Sequence, residues 1–574
     1  MIYEAPVRDM MFLLEEWIGI DALSALPGYE HVDRDTCAFI LEEAGKFCAR
    51  ELLPLNAIGD EQGAQCTEGI VTTPPGFREA YKKFCENGWP GLDAHPEHGG
   101  QGLPRLLQFL IDEMLGSCNM AFKLYAELTH GAYHLIDGEA DSELKMRYLP
   151  NMAQGSWSGT MCLTEPHCGT DLGLLTTRAS KSADGSYRIT GTKIFITSGD
   201  HDLTENIIHM VLARLEGAPE GVKGISLFLV PKFKLDEHGE PAERNGVTTS
   251  SIEHKMGIKG SATCVLNFDE AQGLLVGTEN RGLAAMFRMM NLERIAVGIQ
   301  GLGVAEIAYQ NALAYALDRR QSRAPAPRPD PGKAADRIVY LPDIQRKLLK
   351  IRAQVEGARA LAVFAGYHAD VMARSEDAGQ VEESDDWVSL LTPLLKSYLS
   401  DLGLASALEA QQVFGGHGYV REWGMEQLVR DVRITQIYEG TNEVQAVDLV
   451  GRKLDLHQGR LFNRLIARWD GLKARVPESR VDGVASAIGL AMGRLEQSTA
   501  CIRAWLVDDE CAALAAATDY QRQFAITVVG MFWLEICLLL EGRDDEWAEG
   551  KFALAQVFAE RVLPETEGLM HQVE

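Results

Sequence analysis

Glu439 is the residue whose surroundings most favour acid–base chemistry. It lies in a Tyr-Glu-Gly-Thr-Asn run at 438–442, where the Gly permits a sharp bend and the Thr and Asn are good N-caps for the apolar helical pattern that begins at Val444. A carboxylate on an apolar-flanked bend is partly desolvated, which raises its pKa and makes it a better base. An isolated run of this kind is more often a solvated loop, so the rest of the chain has to decide between a base and a surface acid.

The histidines and cysteines predict neither a metal centre nor a disulfide framework. The eleven cysteines are scattered, odd in number and without a Cys-x-x-Cys pair, which is typical of reduced thiols in the cytoplasm. His167, His201 and His417 are interpreted as turn or structural residues, and no residues are identified at metal-ligand spacing. We therefore expect a cytoplasmic protein that holds no metal.

Length, composition and charge limit the function classes. A chain of 574 residues exceeds one hydrophobic core, so three or four domains or subdomains are expected. A hydrophobic fraction of 46% with 24% charged residues is ordinary for a globular enzyme. The formal net charge of −27 disfavours a nucleic-acid partner, although a few local Arg and Lys residues can still hold a small anion. The N-terminus lacks a signal-peptide pattern, and the apolar run Phe524 to Leu540 predicts a buried helix rather than a stable membrane insertion.

The hydrophobic period changes from helical to alternating and back to helical along the chain. The predicted parts are an N-terminal docking segment (1–34), an N-terminal helical domain (35–157), a middle β domain (158–275), a C-terminal helical-bundle domain (280–456) and an extra C-terminal helical domain (460–574). The predicted strands are 187–197, 206–215, 225–230 and 263–268. Two helical blocks that close over a β domain could leave a flat cofactor slot between them.

Prolines mark several expected boundaries. The helical pattern over 32–53 is expected to end at Pro54, and Pro150 is expected to mark the edge of the first helical block. The segment 324–332 contains four prolines and predicts an exposed loop. Long helices are expected on both sides of that loop, over 282–316 and 341–372.

Five motifs in order resemble the acyl-CoA dehydrogenase family, and the resemblance spans about 35–455. The motifs are Met-Cys-Leu-Thr-Glu-Pro-His-Cys-Gly-Thr-Asp at 161–171, Lys-Ile-Phe-Ile-Thr at 193–197, Lys-Met-Gly-Ile-Lys-Gly-Ser-Ala-Thr at 255–263, Gln-Val-Phe-Gly-Gly-His-Gly-Tyr at 412–419 and Ile-Tyr-Glu-Gly-Thr-Asn at 437–442. Each motif is weak alone, but five in this order are specific. The resemblance implies a mainly α fold with a central β domain: an N-terminal helical domain, a middle β-barrel-like domain and a C-terminal four-helix bundle, here with an extra C-terminal helical domain.

The same resemblance implies an FAD enzyme that places a trans double bond between C2 and C3 of an acyl-CoA. The segments 3–12 and 198–206 and the helical tail are similar to a large bacterial subgroup that includes 3-methylmercaptopropionyl-CoA dehydrogenases. Membership of that subgroup does not fix the substrate, which could also be a short or medium fatty acyl-CoA.

Two carboxylates match positions from which family members supply the base. The resemblance implies that Glu439 removes the C2 proton while its own backbone N–H donates to the thioester oxygen. Glu293, just before Arg294, matches the base of another branch and is otherwise interpreted as a helix-surface acid. We favour Glu439 because its whole Tyr-Glu-Gly-Thr context is intact.

The remaining site residues are also implied by the resemblance. The flavin-ring residues are Met161, Leu163, Thr164, Phe195, Ile196 and Thr197. The residues expected near the FAD diphosphate or adenosine are Arg319, Gln321, Gln412, Gly415, Gly416 and Thr441. The substrate-binding residues are Thr170, Arg294, Tyr438 and Gly440. Arg319 is expected to reach the FAD of a neighbouring subunit, although Ser322-Arg323 replaces the Phe-Gly that usually follows it.

The expected partners are an acyl-CoA substrate, an electron-transfer flavoprotein as electron acceptor and a second copy of the chain in a homodimer. Two alternatives stay open: an acyl-CoA oxidase, which passes electrons to oxygen, and a non-catalytic flavoprotein of the same fold that binds nucleic acid. The acidic charge and the presence of both Glu439 and Arg294 argue against the second alternative.

Overall fold

The computed structural model describes residues 1–325, 329–476 and 480–574, so part of the Pro-rich loop lies outside the described residues. The described chain forms two compact units. The helical unit comprises 1–49, 105–118 and 294–574, and the sheet unit comprises 50–104 and 119–293. The predicted N-terminal helical domain (35–157) thus has residues in both units, and its bounds stay a prediction.

The α-helices account for most of the fold. Their bounds are α1 Val7–Phe12, α2 Ile20–Ser24, α3 Arg34–Phe47, α4 Leu53–Gln62, α5 Phe77–Glu86, α6 Arg105–Glu139, α7 Ser142–Gln154, α8 Gly282–Asp318, α9 Pro342–Arg374, α10 Ala378–Phe414, α11 Met425–Val432, α12 Asn442–Asp448, α13 Arg460–Lys473, α14 Asp482–Asp508, α15 Glu510–Ala515, α16 Ala517–Leu539, α17 Glu546–Arg561 and α18 Glu565–Val573. Single π-helical segments at Leu13–Gly19, Cys48–Leu52 and Leu449–Lys453 continue α1, α3 and α12.

All described strands belong to the sheet unit. Their bounds are β1 Gln65–Thr67, β2 Ile70–Thr72, β3 Trp157–Cys162, β4 Arg178–Lys181, β5 Tyr187–Thr197, β6 Asn206–Leu215, β7 Ile225–Pro231, β8 Phe233–Leu235, β9 Pro241–Arg244, β10 Val247–Ile252 and β11 Thr263–Val276. The main sheet has seven strands, ordered β10-β11-β5-β4-β6-β3, and β7 pairs with both β11 and β6. These pairings close β11, β5, β4, β6 and β7 into a ring, which confirms the β-barrel-like middle domain.

The interior of that ring explains why the strand predictions succeeded. Inward residues such as Ile189, Val211, Phe228 and Leu266 are buried in one apolar cluster. Ile189 alternates with polar neighbours, which is the period-2 signal of a half-buried strand. Val211 and Phe228 instead lie in continuous buried runs, which are typical of strands covered on both faces. The predicted bounds of β5 and β6 are confirmed. β11 was predicted too short, because it continues past Phe268 through an irregular register to Val276.

Two proline predictions are wrong. Pro54 does not end a helix but lies in the first turn of α4, where its missing N–H costs no intrahelical hydrogen bond. The chain reaches it through the π-helical segment 48–52, so α3 and α4 are nearly continuous. Pro150 lies inside α7, which ends only at Gly155 in a left-handed conformation. The hairpin of β1 and β2 was also missed, because each strand has only three residues.

The predicted N-terminal docking segment packs within the helical unit through a buried cluster of charges. Arg359 donates to Glu113 and Glu306 at 2.6 Å and to Asp9 at 2.5 Å, and Lys551 contacts Asp9 and lies 2.7 Å from Glu356. Buried charges are stable only when they are paired in this way. The cluster therefore joins the N-terminal segment to α9 and to the C-terminal helix α17.

The apolar helix α16 is a core element of the helical unit. Among the described residues it is the one helix long and apolar enough to cross a membrane, and 78% of its most apolar window is buried inside the fold. It contacts α9, α14 and α18 of the same unit. The prediction of a buried helix at this position is confirmed.

Candidate active site

Glu439 occupies a strained turn in the helical unit. The turn follows the 3₁₀ segment Arg433–Gln436 and precedes α12, and Glu439 itself has a φ of +57°. A non-glycine residue rarely adopts this left-handed conformation, and such strain is concentrated at functional sites. Gly440 follows at a φ of +83°, and a Cβ there would lie 2.8 Å from Nε2 of Gln445. The chain therefore bends in two left-handed steps that present the Glu439 side chain.

Hydrogen bonds on both sides hold this turn. Thr441 is the N-cap of α12, and its hydroxyl accepts from the N–H of Val444 at 3.3 Å, as expected for a capping residue. Gln445 donates from Nε2 to the carbonyl of Glu439 at 3.4 Å. The phenol of Tyr438 donates to Oε1 of Gln300 on α8. Within the described residues the backbone N–H of Glu439 donates to no protein oxygen, so it is available to a ligand.

The electrostatics of Glu439 suit a base that works near neutral pH. Glu439 is half-buried, and its removal from bulk water raises its pKa to about 7, although the charges of Arg294 and Lys396 oppose that rise. Burial also lowers the pKa of Lys396 to about 8, against the opposing effect of Glu439. The carboxylate is thus poised near neutrality, where a general base is most effective.

Lys396 is itself fixed by a polar network that the sequence did not reveal. Its Nζ donates to Oδ1 of Asn442 at 2.8 Å, and Nδ2 of Asn442 donates to Ser400 at 3.0 Å and to Asp401 at 2.8 Å. Lys396 and Asn442 are buried. Asn442 was expected only as a helix cap, but it links the turn of Glu439 to α10 and holds the nearby cation in place.

In the sheet unit, a buried ion pair joins the two segments expected to hold the flavin ring. Lys193 on β5 lies with its Nζ 2.9 Å from Oε1 of Glu165, and it also donates to the carbonyl of Leu163 at 2.9 Å. The carbonyl of Thr164 accepts from the N–H of Ile194 at 2.9 Å. The second oxygen of Glu165 accepts from the N–H and hydroxyl of Thr176 at 2.7 and 2.8 Å. These contacts hold the loop after β3 against the end of β5.

Phe195 is the most exposed of the expected flavin-ring residues. It sits within β5 at a φ of +58° with 59% of its surface exposed, while Ile196 is buried and Thr197 pairs with Thr263 of β11. A strand that twists locally to expose an aromatic ring offers a stacking face. Of the other ring residues, Leu163 is buried, and Met161 and Thr164 are partly buried.

The expected diphosphate and adenosine residues all lie in the helical unit, and all of them except the partly buried Thr441 are exposed in this single chain. Gln412, Gly415 and Gly416 lie at the end of α10, and a Cβ added at either glycine would meet no atom within 4 Å. Neither glycine is therefore required by packing, and both leave room for a ligand against the backbone. Arg319 and Gln321 follow α8 and are also exposed.

Tyr315 holds the segment after α10 in place. Its ring stacks on Phe414 with centroids 4.2 Å apart, and its hydroxyl lies 2.9 Å from Nδ1 of His417. His417 in turn stacks on Trp423 at 4.8 Å. The interpretation of His417 as a structural residue agrees with these contacts.

Glu293 and Thr170, both in the sheet unit, have opposite surroundings. The interpretation of Glu293 as a surface acid is wrong, because only 2% of the residue is exposed. Its Oε1 would lie 2.2 Å from a Cβ added at Gly131, so this glycine is required for the close approach. Thr170 is exposed on the loop after β3. Glu293 therefore stays a second candidate for the base, in addition to Glu439.

The structure also reveals a pair of histidines at metal-ligand spacing that sequence analysis overlooked. His130 and His134 are separated by one helical turn on α6, and both approach Asp93. The signal was the spacing of four residues on a helix, which places two side chains on one face.

Comparison with known proteins accounts for nearly the whole chain. Family models match as follows: acyl-CoA dehydrogenase, N-terminal domain, over 35–156; middle domain over 160–271; C-terminal domain over 280–454; and acetyl-CoA dehydrogenase C-terminal like over 467–574. The chain is 40% identical to the 3-methylmercaptopropionyl-CoA dehydrogenase of Ruegeria pomeroyi, with 98% of this chain and 97% of that protein covered.

One further relative and one solved structure also match most of the chain. The chain is 32% identical to a butyryl-CoA dehydrogenase of Syntrophomonas wolfei, with 99% of this chain and 96% of that protein covered. A solved structure of an acyl-CoA dehydrogenase complexed with FAD, from Bacillus anthracis, is similar with a TM-score of 0.76 at 23% identity, covering 95% of this chain and 88% of that one. That last likeness shows a common fold, including the extra C-terminal helices.

Proposed function

The chain belongs to the acyl-CoA dehydrogenase family, and on that premise we propose that it is an FAD-dependent enzyme that converts an acyl-CoA thioester to the trans-2-enoyl-CoA. The observation that carries the proposal is Glu439, a half-buried carboxylate on a strained turn whose pKa is raised by desolvation to about 7.

The residues of the chain fit the cofactor. Phe195 offers an exposed aromatic face from a left-handed position on β5, and the hydroxyls of Thr164 and Thr197 lie on the two segments joined by Glu165 and Lys193. A Cβ added at Gly415 or Gly416 would meet no atom within 4 Å, so a diphosphate could approach their backbone closely, next to the exposed Gln412. When bound, FAD accepts at N5 the hydride that leaves C3 of the substrate.

Glu439 has two roles in the proposed reaction. Its carboxylate takes the proton from C2, so that the electron pair of the broken C–H bond forms the new double bond as the hydride leaves C3. Its free backbone N–H donates to the thioester oxygen, where negative charge develops as the proton leaves. The left-handed turn serves both roles, because it directs the side chain and the N–H of one residue toward the ligand.

Arg294 and Lys396 tune the base. Each of these cations favours the ionised form of Glu439 and so prevents burial from raising its pKa further. Lys396 is buried and held by Asn442, so its charge acts from a fixed position. Arg294 is also buried, and we assign it to the CoA side of the substrate, as the family resemblance implies.

A kinetic panel tests the reaction and its substrate class. Relatives named for 3-methylmercaptopropionyl-CoA and butyryl-CoA support a short acyl chain. We expect the highest kcat/KM with one of these two thioesters and lower values with medium and long acyl-CoAs, and we expect a product two hydrogens lighter by mass spectrometry. Absence of any enoyl-CoA across the panel would contradict the proposal.

The electron acceptor and the assembly need separate tests. We propose that an electron-transfer flavoprotein takes the electrons and that the chain forms a homodimer in which Arg319 reaches the FAD of the partner. Turnover with electron-transfer flavoprotein but little peroxide in air supports the first statement, whereas rapid peroxide formation would indicate an oxidase.

Light scattering coupled to gel filtration separates a dimer from a tetramer, and Arg319→Ala should weaken FAD retention without changing the mass of the assembly.

A further inference from the structure

Three side chains of the sheet unit direct their ligand atoms toward one point. Nε2 of His130 lies 2.9 Å from each carboxylate oxygen of Asp93, and Nε2 of His134 lies 2.9 Å from Oδ2 of Asp93. The two Nε2 atoms are 3.1 Å apart. We call these three residues the Asp-His-His cluster. None of them belongs to the flavin or base residues described above.

The cluster is built on a rigid frame. Helix α6 is interrupted at Asn119, whose Oδ1 accepts from the N–H of Phe122 at 3.0 Å and so caps a new helical stretch. That stretch carries His130 and His134 on one face, four residues apart. Asp93 comes from the loop that follows the turn Trp89–Gly91. The helix therefore fixes the relative positions of the two imidazoles, and the loop supplies the carboxylate.

Tyr133 fixes the loop on the same helix. Its hydroxyl accepts from the N–H of His95 at 2.9 Å and lies 2.9 Å from Nδ1 of His98. The loop also closes on itself, because the N–H of Leu103 donates to the carbonyl of Leu92 at 3.0 Å. Asp93 is thus held near its position by contacts that do not involve the two histidines.

The distances match those between ligands of a transition metal. Zn²⁺ binds His nitrogen and carboxylate oxygen at about 2.0–2.2 Å, and tetrahedral geometry then separates neighbouring donor atoms by about 3.3 Å. Three donors on one face of an octahedron are separated by about 3.0 Å at the same bond length. The observed separations of 2.9–3.1 Å are close to the octahedral value and shorter than the tetrahedral one.

Burial of the cluster is also typical of an open metal site. Asp93 is almost fully buried, with 3% of its side chain exposed, whereas 15% of His130 and 10% of His134 are exposed. A cation could therefore enter from the histidine side and keep water as its remaining ligand.

We propose that Asp93, His130 and His134 bind one divalent transition cation, for which Zn²⁺ is the probe ion, with water completing its shell. The cation clamps the loop after residue 91 to α6 and stabilises the sheet unit. The competing account is a cluster without a cation, in which protons alone join the two imidazoles to the carboxylate. The proposal does not depend on the flavin reaction.

Metal analysis of the FAD-containing protein tests the proposal. After removal of loosely bound ions, we expect one Zn²⁺ per chain by elemental mass spectrometry, removal of that ion by a strong chelator, and one binding event when Zn²⁺ is titrated back. The midpoint of thermal unfolding should fall on chelation and recover with Zn²⁺. A wild-type protein that binds no Zn²⁺ would overturn the proposal and leave the proton-joined cluster.

Two variants and one matched control locate the site. Asp93→Asn keeps the size of the side chain but removes the anionic ligand, and His134→Gln removes one imidazole, so each should weaken Zn²⁺ binding at least tenfold. His238→Gln, on an exposed turn of the same unit, should bind as the wild type does. Equal affinity in all three variants would overturn the assignment.

X-ray absorption at the zinc edge keeps the test decisive if a variant fails to fold. The eleven cysteines are the main competing ligands, and all of them are free thiols. The wild-type spectrum should show only nitrogen and oxygen ligands, with the outer-shell scattering of two imidazoles. A sulfur ligand would place the ion elsewhere and contradict the proposal.

Discussion

Lys193 and Glu165 form a buried ion pair with Nζ and Oε1 2.9 Å apart, and neither side chain is exposed beyond 1%. The pair joins the strand that carries Phe195 to the loop after β3. Glu165 is largely withdrawn from water, yet the charge of Lys193 and donors from Thr176 and Thr177 lower its pKa to about 2. Burial lowers the pKa of Lys193, against the opposing charge of Glu165. The ion pair is the charged contact among several that join the two flavin segments.

Lys193→Met should destabilise the sheet unit by about 3–5 kcal/mol, because it leaves the Glu165 carboxylate buried without its cation. Thermal unfolding and FAD retention should both decline. The double variant Lys193→Met with Glu165→Gln should recover part of the loss. Lys234→Met breaks a more exposed pair with Glu243 in the same unit and should cost at most about 1 kcal/mol. Equal effects of the two lysine substitutions would show that the buried pair has no special role.

Phe195→Ala should weaken FAD binding by about 1–3 kcal/mol, the range measured for stacking of an aromatic base on an aromatic side chain. Phe195→Trp keeps a stacking face and should bind FAD nearly as the wild type does. Ile70→Ala, at an equally exposed apolar residue of the same unit, is the matched control. Affinity is measured by titrating apoprotein with FAD, and unchanged affinity in Phe195→Ala would remove the ring from the site.

The pH dependence of kcat/KM should report Glu439. Its pKa of about 7 means that the base is protonated below neutrality, so log(kcat/KM) should fall with unit slope below pH 7 and level off above it. Lys396→Met removes a cation that favours the carboxylate, so the acidic limb should move to higher pH. Lys347→Met, which breaks a pair with Glu409 on the same unit, should leave the limb in place. A limb that does not move in Lys396→Met would contradict the assigned coupling.

Glu439 should also make stability depend on pH. Its pKa rises from 4.5 in the unfolded chain to about 7 in the fold, so its stabilising effect is complete below pH 4.5 and is lost as pH rises through 7. The amide of Glu439→Gln cannot ionise. The stability of this variant relative to the wild type should therefore be higher at pH 8 than at pH 5, by up to about 3 kcal/mol.

Glu443 provides a control of opposite sign. A hydrogen bond from Thr441 lowers the pKa of Glu443, so its stabilising effect is present above its unfolded pKa and is lost in acid. The stability of Glu443→Gln relative to the wild type should thus be lower at pH 8 than in acid. Calorimetric unfolding of both variants in FAD-saturated buffer measures the difference, and the same sign for both would refute the pKa assignments.

Sequence analysis identified the elements with a strong local signal. The alternation within β5 and the continuous apolar run of β6 indicated their bounds, because β5 turns one face to the apolar interior of the ring and β6 is almost wholly buried. Glu439 was found from its flanking Gly and capping Thr, and the structure adds a left-handed turn and a raised pKa. Local composition was sufficient in these places because the neighbours in sequence are also the neighbours in space.

The missed features depend on contacts between distant parts of the chain. The burial of Glu293 was missed by the alternative interpretation as a surface acid, because it depends on the close approach of Gly131 from a distant helix. Asp93 meets His130 across 37 residues, a convergence that no spacing rule predicts even though the pair His130 and His134 was visible. Lys396 and Asn442 are likewise 46 residues apart. Tertiary packing, rather than local preference, decides such positions.

Anaerobic single-turnover reduction by a substrate acyl-CoA tests most directly whether Glu439 removes the C2 proton. We predict that the flavin of the wild type bleaches rapidly, that Glu439→Gln retains FAD but bleaches about 10²–10⁴-fold more slowly, and that Glu293→Gln bleaches at close to the wild-type rate. Rapid bleaching in Glu439→Gln together with a loss of bleaching in Glu293→Gln would contradict the account and assign the base to Glu293.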